Sequence, residues 1–447
     1  MPQPKHRLLL LNPPAPRPVF RDCYCSGISK GSFFIHPLDL QIQSGFFSDE
    51  DFRLVFIDAV FERLKPAEVF NRIKLFEPDS ILALVGHALF DSDIRFLNQL
   101  KSIQLSVKLY LSGDSARFTP ERMFAKIPAI DGLLMDFGTP GLLNHLKGED
   151  SLHVITPDGG QPQGEANLDR FRYPLPQAAV INRYAYRLPF FKSPRYYSMA
   201  MSFGCPFSCL YCNTHLLGYR TRPVDEVVEE LYFAAGHGYK SLYVRDATFL
   251  FDKERTLRLF RRWEQTGLRL EWVCFTRPDL IDAEVAEAAA GLGCSMMMVG
   301  VESYDEKCLS TVSRNIKSGD VIKAFKTLRK FGIRSAAQVI VGLHNANPHS
   351  AEKPNEYLRR LEDFLKAIDP DYVSLNIYQP RPGIPAGNRI LEQLASGSAQ
   401  YQNLADRINR DFYFRPGAIL RQLCRVRSFP QLALQARIAF GLFFNHS

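Results

Sequence analysis

The sequence of 447 residues contains no apolar run long enough to form a membrane-spanning helix, because such a helix needs about 18 or more consecutive apolar residues. Its first apolar run, Leu8–Leu11, is too short for the core of a secretory signal peptide and ends in Asn12-Pro13-Pro14. We therefore expect a cytoplasmic protein, with any membrane association confined to its surface.

A regular cysteine framework is also missing, since the nine cysteines are an odd number and most are scattered. This pattern argues against a disulfide scaffold and favours a reduced protein with a metal site. Cys205, Cys209 and Cys212 lie in one loop, separated by three and then two residues, and no fourth cysteine follows closely. Ferredoxin-type clusters use four cysteines. Three thiolates at this spacing predict a four-iron cubane with one iron left open.

Composition predicts folded domains and not disorder. The chain is longer than one average domain, and two or three are expected. With 46% hydrophobic and 12% aromatic residues it can bury sizeable cores. The formal charge of +8 would suit an anionic partner such as phosphate, nucleic acid or a lipid surface.

Residues 1–150 alternate short apolar runs with amphipathic stretches, which predicts a flavodoxin- or Rossmann-like α/β domain with a mostly parallel sheet. The predicted strands are Arg7–Leu11, Leu54–Ala59, Ile81–Val85, Val107–Leu111 and Gly132–Met135. Ligands bind such sheets beyond the carboxyl ends of the strands. The segments there include Asn12, Ser112-Gly113 and Gly138. They would suit a large flat ligand, and they would equally suit plain tight turns.

Residues 151–195 form a predicted linker with an aromatic, basic stretch from Phe171 onwards, and residues 196–385 begin a second alternation. Six strand–helix units in a row predict a partial (β/α)6 barrel, whose site residues should follow the strand ends. The predicted strands are Ser198–Phe203, Ser241–Arg245, Leu270–Phe275, Ser295–Val299, Arg334–Val341 and Tyr372–Ile377.

The cysteine loop follows the first of these strands, and a charged residue follows each of the next three. Asp246, Arg277 and Glu302 come after the second, third and fourth strands. Buried charges are costly without partners, so their convergence on one rim predicts contacts with a ligand. The alternatives are that Asp246 caps the next helix and that Arg277 pairs with Asp279 on the surface.

Residues 386–447 form a predicted helical extension, and residues 405–447 carry seven arginines against Asp406 and Asp411. Aromatic residues such as Phe412 and Phe440 accompany them. This extension could lie as a basic amphipathic helix on a membrane surface. It could equally pack against the open side of the barrel.

The cysteine loop, with Tyr211 before its last cysteine, resembles the signature of the radical S-adenosylmethionine (SAM) enzymes. The resemblance continues through later blocks, and the whole chain is similar to the cobalamin-binding subgroup, which includes methyltransferases and the anaerobic porphyrin ring cyclase. The blocks are residues 244–249, 275–279, 300–303 and 341–343.

The resemblance implies a [4Fe-4S] cluster on the three cysteines, with SAM chelating the fourth iron and yielding a 5′-deoxyadenosyl radical on reduction. Beside Tyr211, it places Asp246 near the SAM amino group, Arg277 near its carboxylate and Glu302 near its ribose. It further implies cobalamin over the N-terminal sheet, near Asn12, Ser112, Gly113 and Gly138. An Asp-x-His-x-x-Gly motif is absent from residues 1–150, so no histidine of that kind would bind the cobalt.

The resemblance favours methyl transfer to an unactivated carbon over cyclisation or rearrangement. We expect a small-molecule substrate, apolar in view of the aromatic linker and the tail, and an external reductant such as flavodoxin or ferredoxin. No nucleic-acid partner is expected, and the tail could make peripheral membrane contact.

Two more distant alternatives remain. Cys205, Cys209, Cys212 and His215 could instead hold zinc as a tetrahedral set. A methylthiotransferase would need three spread N-terminal cysteines, and only Cys23 and Cys25 precede the linker.

Overall fold

The chain forms two compact units, one comprising the described residues up to Leu188 and the other beginning at Pro189. They are seen in a computed structural model that describes residues 5–23, 26–29, 33–104, 106–149, 152–159, 171–347, 353–385, 387–396, 398–415 and 432–433. No described helix combines the length and apolarity that crossing a bilayer requires.

The first unit contains a sheet of six strands in the order β4-β1-β5-β6-β7-β8, in which only β8 runs antiparallel to its neighbour. A separate hairpin joins β2 to β3. The strands are β1 His6–Asn12, β2 Val19–Arg21, β3 Ser26–Ile28, β4 Phe52–Asp58, β5 Ser80–Leu84, β6 Lys108–Ser112, β7 Gly132–Leu134 and β8 Val154–Ile155. The helices are α1 Leu38–Ser44, α2 Pro66–Phe76, α3 Phe90–Ile103, α4 Asp114–Phe118, α5 Pro120–Lys126, α6 Gly141–Leu146 and α7 Ala178–Ile181.

The central strands of this sheet are buried on both faces, as continuous apolar runs predict. Leu8–Leu11 have no exposed surface, and the central residues of β5 and β6 are also buried. All five predicted strands are present. The sequence did not predict the hairpin β2–β3, whose residues lie beside the carboxyl end of β1 through contacts from Arg21 to Asn12 and Pro13.

The second unit contains six parallel strands in the order β16-β15-β14-β13-β12-β9, which confirms the predicted partial barrel. Its strands are β9 Tyr197–Met199, β10 Ser202–Gly204, β11 Tyr219–Thr221, β12 Ser241–Val244, β13 Glu271–Thr276, β14 Cys294–Glu302, β15 Arg334–Val341 and β16 Tyr372–Ile377. The helices are α8 Val224–Gly236, α9 Lys253–Gln265, α10 Ala283–Gly291, α11 Glu306–Thr311, α12 Ser318–Lys330, α13 Pro354–Ile368, α14 Arg389–Ser396 and α15 Ser398–Tyr413.

The predicted strand Ser198–Phe203 is wrong as a single strand, because the chain leaves the parallel sheet after β9. The next segment, β10, pairs antiparallel with β11 in a separate two-stranded sheet. The main-chain N–H of Met201, between the two strands, donates to the carboxylate of Asp246. A side chain distant in sequence therefore stabilises a break that local propensity does not show.

Helix α15 packs along the edge strand β16 of the second sheet. The hydroxyl of Tyr413 donates to the carbonyl of Val373 at 2.9 Å and accepts from its N–H at 3.0 Å. Ile408 and Phe412 are buried. For residues 398–413 the structure therefore agrees with packing against the barrel. Most of the arginine-rich part of the predicted extension, including Phe429, Phe440, Phe443 and Phe444, lies outside the described residues.

The predicted linker is only partly described. Two of its tyrosines pack within the first unit, where Tyr184 accepts from the N–H of Asp58 and Tyr186 donates to the Asp58 carboxylate. Phe191 and Tyr196 are buried in the second unit. The boundaries 151–195 stay a prediction, and the unit boundary falls within them.

Candidate active site

The three clustered cysteines lie in the connection between β10 and β11. The N–H of Cys205 donates to the carbonyl of Gly218 at 3.2 Å, which closes the base of this loop. Gly204 precedes it with a φ of 75°, and a Cβ there would lie 1.6 Å from the carbonyl oxygen of Gly218. Only glycine fits this close approach. Further along, the N–H of Leu210 donates to the carbonyl of Val312 at 3.0 Å.

The cysteines themselves are free thiols in a protected setting. Cys209 is buried, Cys205 lies 3.5 Å from the hydroxyl of Thr248, and Cys212 lies 3.3 Å from that of Thr214. Burial raises the pKa of the Cys212 thiol. The thiol is therefore neutral without a metal, and a metal bound there would displace its proton, because the thiolate is the ligand form.

Two buried donors beside this loop have no hydrogen-bond partner. They are the hydroxyl of Tyr211 and the Nε of Arg314, and the Nδ1 of His215 in the same connection is also buried without a partner. Burial raises the pKa of Tyr211 well above its ordinary value, so it remains a neutral donor. Buried donors are rarely left unpaired. Three free thiols with two orphaned donors therefore fit an electron-rich group such as an iron–sulfur cluster with its ligand.

Among the residues that the structure describes, no three His, Cys, Asp or Glu side chains gather at the distances of a mononuclear site.

Arg314, which sequence reasoning missed, joins the cysteine loop to β14. Its Nη1 lies 3.6 Å from the sulfur of Cys209, and its Nη2 donates to the carbonyl of Gly300 at 2.6 Å. The side chain is buried, and its Nη2 lies 3.4 Å from the Oε1 of Glu302. Although burial lowers the pKa of Arg314, the nearby Glu302 carboxylate and Cys209 sulfur raise it, so the guanidinium is charged.

Glu302 ends β14 in a left-handed conformation, with a φ of 64°. The pairing register between β14 and β15 shifts between Gly300 and Glu302, as at a β-bulge. Burial raises the pKa of the Glu302 carboxyl, while Arg314 and Arg277 oppose that shift. The structure thus brings Glu302 to the cysteine loop through Arg314, and its ribose contact stays a prediction.

Asp246 follows β12 and is completely buried. Its carboxylate accepts from the N–H of Met201 at 2.7 Å and from the hydroxyl of Ser202 at 2.6 Å. Burial raises its pKa. The helix that follows is capped by Asp252 instead, so the capping alternative for Asp246 is wrong. Both carboxylate oxygens hold the start of β10, and contact with the SAM amino group stays a prediction.

Arg277 follows β13 and contacts both a carboxylate and the cysteine loop. It makes a bidentate pair with Asp279, at 3.0 Å from Nε and 2.9 Å from Nη2. Its guanidinium lies over the ring of Phe207, 3.8 Å from the ring centroid. The pairing alternative is therefore confirmed, but Arg277 is 5% exposed and does not lie on the surface. Its contact with the SAM carboxylate stays a prediction.

In the first unit, the predicted cobalamin contacts bind other residues of their own chain. Asn12 donates to Asp58 at 2.9 Å and accepts from Arg21 at 2.8 Å, while the hydroxyl of Ser112 donates to Asp39 at 3.2 Å. Arg21 and Asp93 form an ion pair at 2.7 Å whose side chains are fully buried. These polar groups complete a network inside the unit.

The two predicted glycines serve close packing in the same unit. A Cβ on Gly113 would lie 2.6 Å from the carbonyl of Arg21, and one on Gly138 would lie 2.1 Å from the ring of Phe171. The close approach that glycine permits is thus used by the chain's own residues. All four residues are buried, and their contact with cobalamin stays a prediction.

The comparisons with known proteins agree with the cysteine-loop geometry. Residues 199–377 match the model of the Radical SAM superfamily, and this span contains the loop, Asp246, Arg277, Glu302 and Arg314. The chain is therefore an enzyme with a radical SAM domain at residues 199–377.

Relatives extend the likeness beyond that domain. The chain is 27% identical to an uncharacterised methyltransferase of Pyrococcus horikoshii, over 75% of this chain and 74% of the relative. It is 23% identical to the anaerobic magnesium-protoporphyrin IX monomethyl ester cyclase of Rubrivivax gelatinosus, over 74% of this chain and 61% of the cyclase.

Solved structures share this fold over most of the chain. The radical SAM methyltransferase TsrM of Kitasatospora setae, with tryptophan and a SAM analogue bound, superposes with a TM-score of 0.63 at 16% identity, covering 85% of this chain and 75% of TsrM. The cobalamin-dependent radical enzyme OxsB, with aqua-cobalamin and SAM bound, gives 0.60 at 15% identity, covering 90% of this chain and 56% of OxsB. More particularly, then, this enzyme has the fold of the cobalamin-dependent radical SAM proteins.

Proposed function

We propose that this enzyme is a cobalamin-dependent radical SAM methyltransferase that methylates an unactivated carbon of a small molecule. The cysteine loop carries the proposal, because its three free thiols lie beside two orphaned donors, the Tyr211 hydroxyl and the Arg314 Nε. The methyltransferase part is supported by the name of the Pyrococcus horikoshii relative and by the fold shared with TsrM.

In this proposal Cys205, Cys209 and Cys212 hold the iron–sulfur cluster. When bound, the cluster and SAM supply a radical able to abstract hydrogen, and cobalamin supplies the methyl carrier. The chain's own residues position this chemistry. Arg314 contacts the Cys209 sulfur, and Asp246 fixes the strand break that leads into the loop. In the same proposal SAM is recognised by Asp246, Arg277 and Glu302, as the family resemblance implies.

The cobalamin part rests on the fold and not on the four predicted contacts. TsrM and OxsB have been solved with cobalamin bound. In this chain Asn12 and Ser112 are engaged internally, so we assign them no step in the reaction.

We also propose an apolar substrate, but the aromatic residues of the linker no longer support this proposal. The linker aromatics Phe171, Tyr186 and Phe191 are buried and cannot contact a substrate in this structure. Near the cysteine loop, however, Leu216 and Phe251 are 43% and 39% exposed. Exposed apolar side chains beside a site favour apolar ligands. The electron would come from an external reductant of the flavodoxin or ferredoxin class.

The decisive experiment supplies anaerobically reconstituted enzyme with cobalamin, a strong reductant and SAM labelled in its methyl group. Candidate apolar extracts serve as substrate. We expect the label in a product, with S-adenosylhomocysteine forming alongside 5′-deoxyadenosine. Formation of 5′-deoxyadenosine with an altered, unlabelled product would instead support the cyclase alternative, which the Rubrivivax gelatinosus relative favours. Iron-loaded enzyme that cleaves no SAM would overturn both.

A further inference from the structure

Arg314 is the one charged group in the described site that sequence reasoning did not anticipate. It is carried by the turn after α11, in which Ser313 has a φ of 58°. A left-handed conformation is strained in a serine and persists where surrounding contacts enforce it. The N–H of Arg314 donates to the carbonyl of Leu309 at 2.8 Å, which fixes the turn.

The same turn is attached to the cysteine loop at two points. The carbonyl of Val312 accepts from the N–H of Leu210 at 3.0 Å, and Arg314 reaches the sulfur of Cys209 at 3.6 Å. Leu210 and Cys209 are adjacent in the loop, and Val312 and Arg314 are two positions apart in the turn. The turn and the loop are therefore held together by a main-chain hydrogen bond beside the Arg314 side chain.

The charge of Arg314 is incompletely balanced by the residues around it. Its carboxylate neighbour, Glu302, lies at 3.4 Å in a contact longer than a good hydrogen bond. Its Nε is buried without a partner. A buried cation with a spare donor is costly unless an anionic group completes it. The thiolate of Cys209, with the metal centre it would bind, is the anion that the geometry offers.

We propose that Arg314 donates to the Cys209 thiolate and thereby raises the reduction potential of the iron–sulfur cluster. Adding one electron from the external reductant adds a negative charge beside the guanidinium, which stabilises the reduced form more than the oxidised one. Hydrogen bonds to the sulfurs and net charge are among the factors that set cluster potentials. This inference rests on the radical SAM function proposed above.

The test measures the midpoint potential of the reconstituted cluster without substrate, by redox titration followed by electron paramagnetic resonance. In Arg314→Gln the equilibrium constant for reduction should fall about tenfold, which for one electron is about 59 mV towards more negative potential. Arg314→Lys keeps the charge and should recover most of the loss, although lysine lacks the planar fork.

Arg334→Gln is the matched control. Arg334 is also partly buried, donates to the carbonyl of Ser295 and pairs with Glu271 at 3.3 Å, but it begins β15 and so lies at the opposite end of the strands from Glu302. Its replacement should leave the potential unchanged. An unshifted potential in iron-loaded Arg314→Gln, or an equal shift in Arg334→Gln, overturns the inference.

Iron content separates this inference from the proposed function. Wild-type protein that binds no cluster would overturn the function, whereas iron-loaded wild type with an unshifted variant overturns only the role of Arg314. If Arg314→Gln fails to hold iron, Arg314→Lys decides: a potential near that of wild type supports the inference. A lowered potential there, or loss of iron from both variants at unchanged thermal stability, contradicts it.

Discussion

Arg21 in the first unit and Arg314 in the second are both buried arginines beside the ends of parallel strands, but their surroundings differ. Arg21 pairs with Asp93 through Nε and Nη2 and donates to Asn12 and to the carbonyls of Pro13 and Pro14. Arg314 has a sulfur, one carbonyl and a distant carboxylate, and its Nε has no partner.

This difference in hydrogen-bond partners distinguishes an arginine that only stabilises the fold from one that can also bind a ligand. When the chain supplies an acceptor for each donor, a buried charge stabilises the fold alone. When a buried charged group beside free thiols keeps an unpaired donor, a bound ligand can supply the missing acceptor. On this criterion the second unit has a ligand site at its cysteine loop, while the Arg21 network is complete.

The largest effect should come from removing a thiolate. In Cys209→Ser we expect loss of nearly all cluster iron and of SAM cleavage, because a serine hydroxyl does not replace a soft thiolate as an iron ligand. Iron and sulfide analysis after reconstitution, together with assay of 5′-deoxyadenosine, measures it.

Cys308→Ser is the control for that substitution. Cys308 is likewise buried in the second unit, but its thiol donates to the carbonyl of Leu343, a bond that serine can also make. It should keep its iron. A full iron content in Cys209→Ser would show that the cysteine loop is not the metal site.

A smaller effect, on stability, should follow from breaking the pair in the first unit. Arg21→Met leaves Asp93 buried without its cation, which should lower the free energy of unfolding by about 3–5 kcal/mol. Urea unfolding monitored on the first unit measures it.

The double variant Arg21→Met with Asp93→Leu tests whether the unpaired charge of Asp93 causes this loss of stability. It removes both charges, and it should recover most of the loss, since apolar replacement of a whole buried pair is often neutral. If the double variant is no more stable than the single one, the hydrogen bonds of Arg21 to Asn12 and Pro13 matter more than the unpaired charge.

The smallest effect concerns Asp246, which is buried in the second unit but has partners for both oxygens. Asp246→Asn weakens the acceptors of the Met201 N–H and the Ser202 hydroxyl and should lower the free energy of unfolding by about 1–3 kcal/mol. Because burial raises the pKa of this carboxyl, its stabilising contribution is complete below the unfolded value, about 3.9, and is lost as pH rises through the folded value.

The difference between wild type and Asp246→Asn should therefore be larger at about pH 4 than at about pH 8. Urea titrations at both values measure it. Unchanged stability with weakened SAM binding would instead favour direct contact between Asp246 and SAM.

Most of the framework follows from local sequence patterns. Continuous apolar runs give the buried strands β1, β5 and β6, because both faces of these strands are covered and the pattern is strong, and β15 and β16 also have the predicted bounds. The cysteine spacing likewise points to the site, since three metal ligands in one loop need no distant partner.

What the sequence did not show depends on distant contacts. The break between β9 and β10 depends on Asp246, which lies 45 positions from Met201. Arg314 contacts Cys209, which lies 105 positions earlier in the sequence, and the left-handed turn at Ser313 orients its side chain. A charged residue shortly after the Gly-Val-Glu-Ser block was the only local signal, and loop arginines are common.

The hydroxyl of Tyr413 satisfies both polar groups of Val373 on the outer strand β16. An uncovered outer strand is a template for pairing with other chains. A shortened protein that ended before Ser398 would keep the whole cysteine loop yet lose this cover. We therefore expect the shortened protein to self-associate in solution. Any minimal version of the enzyme should include residues 398–413.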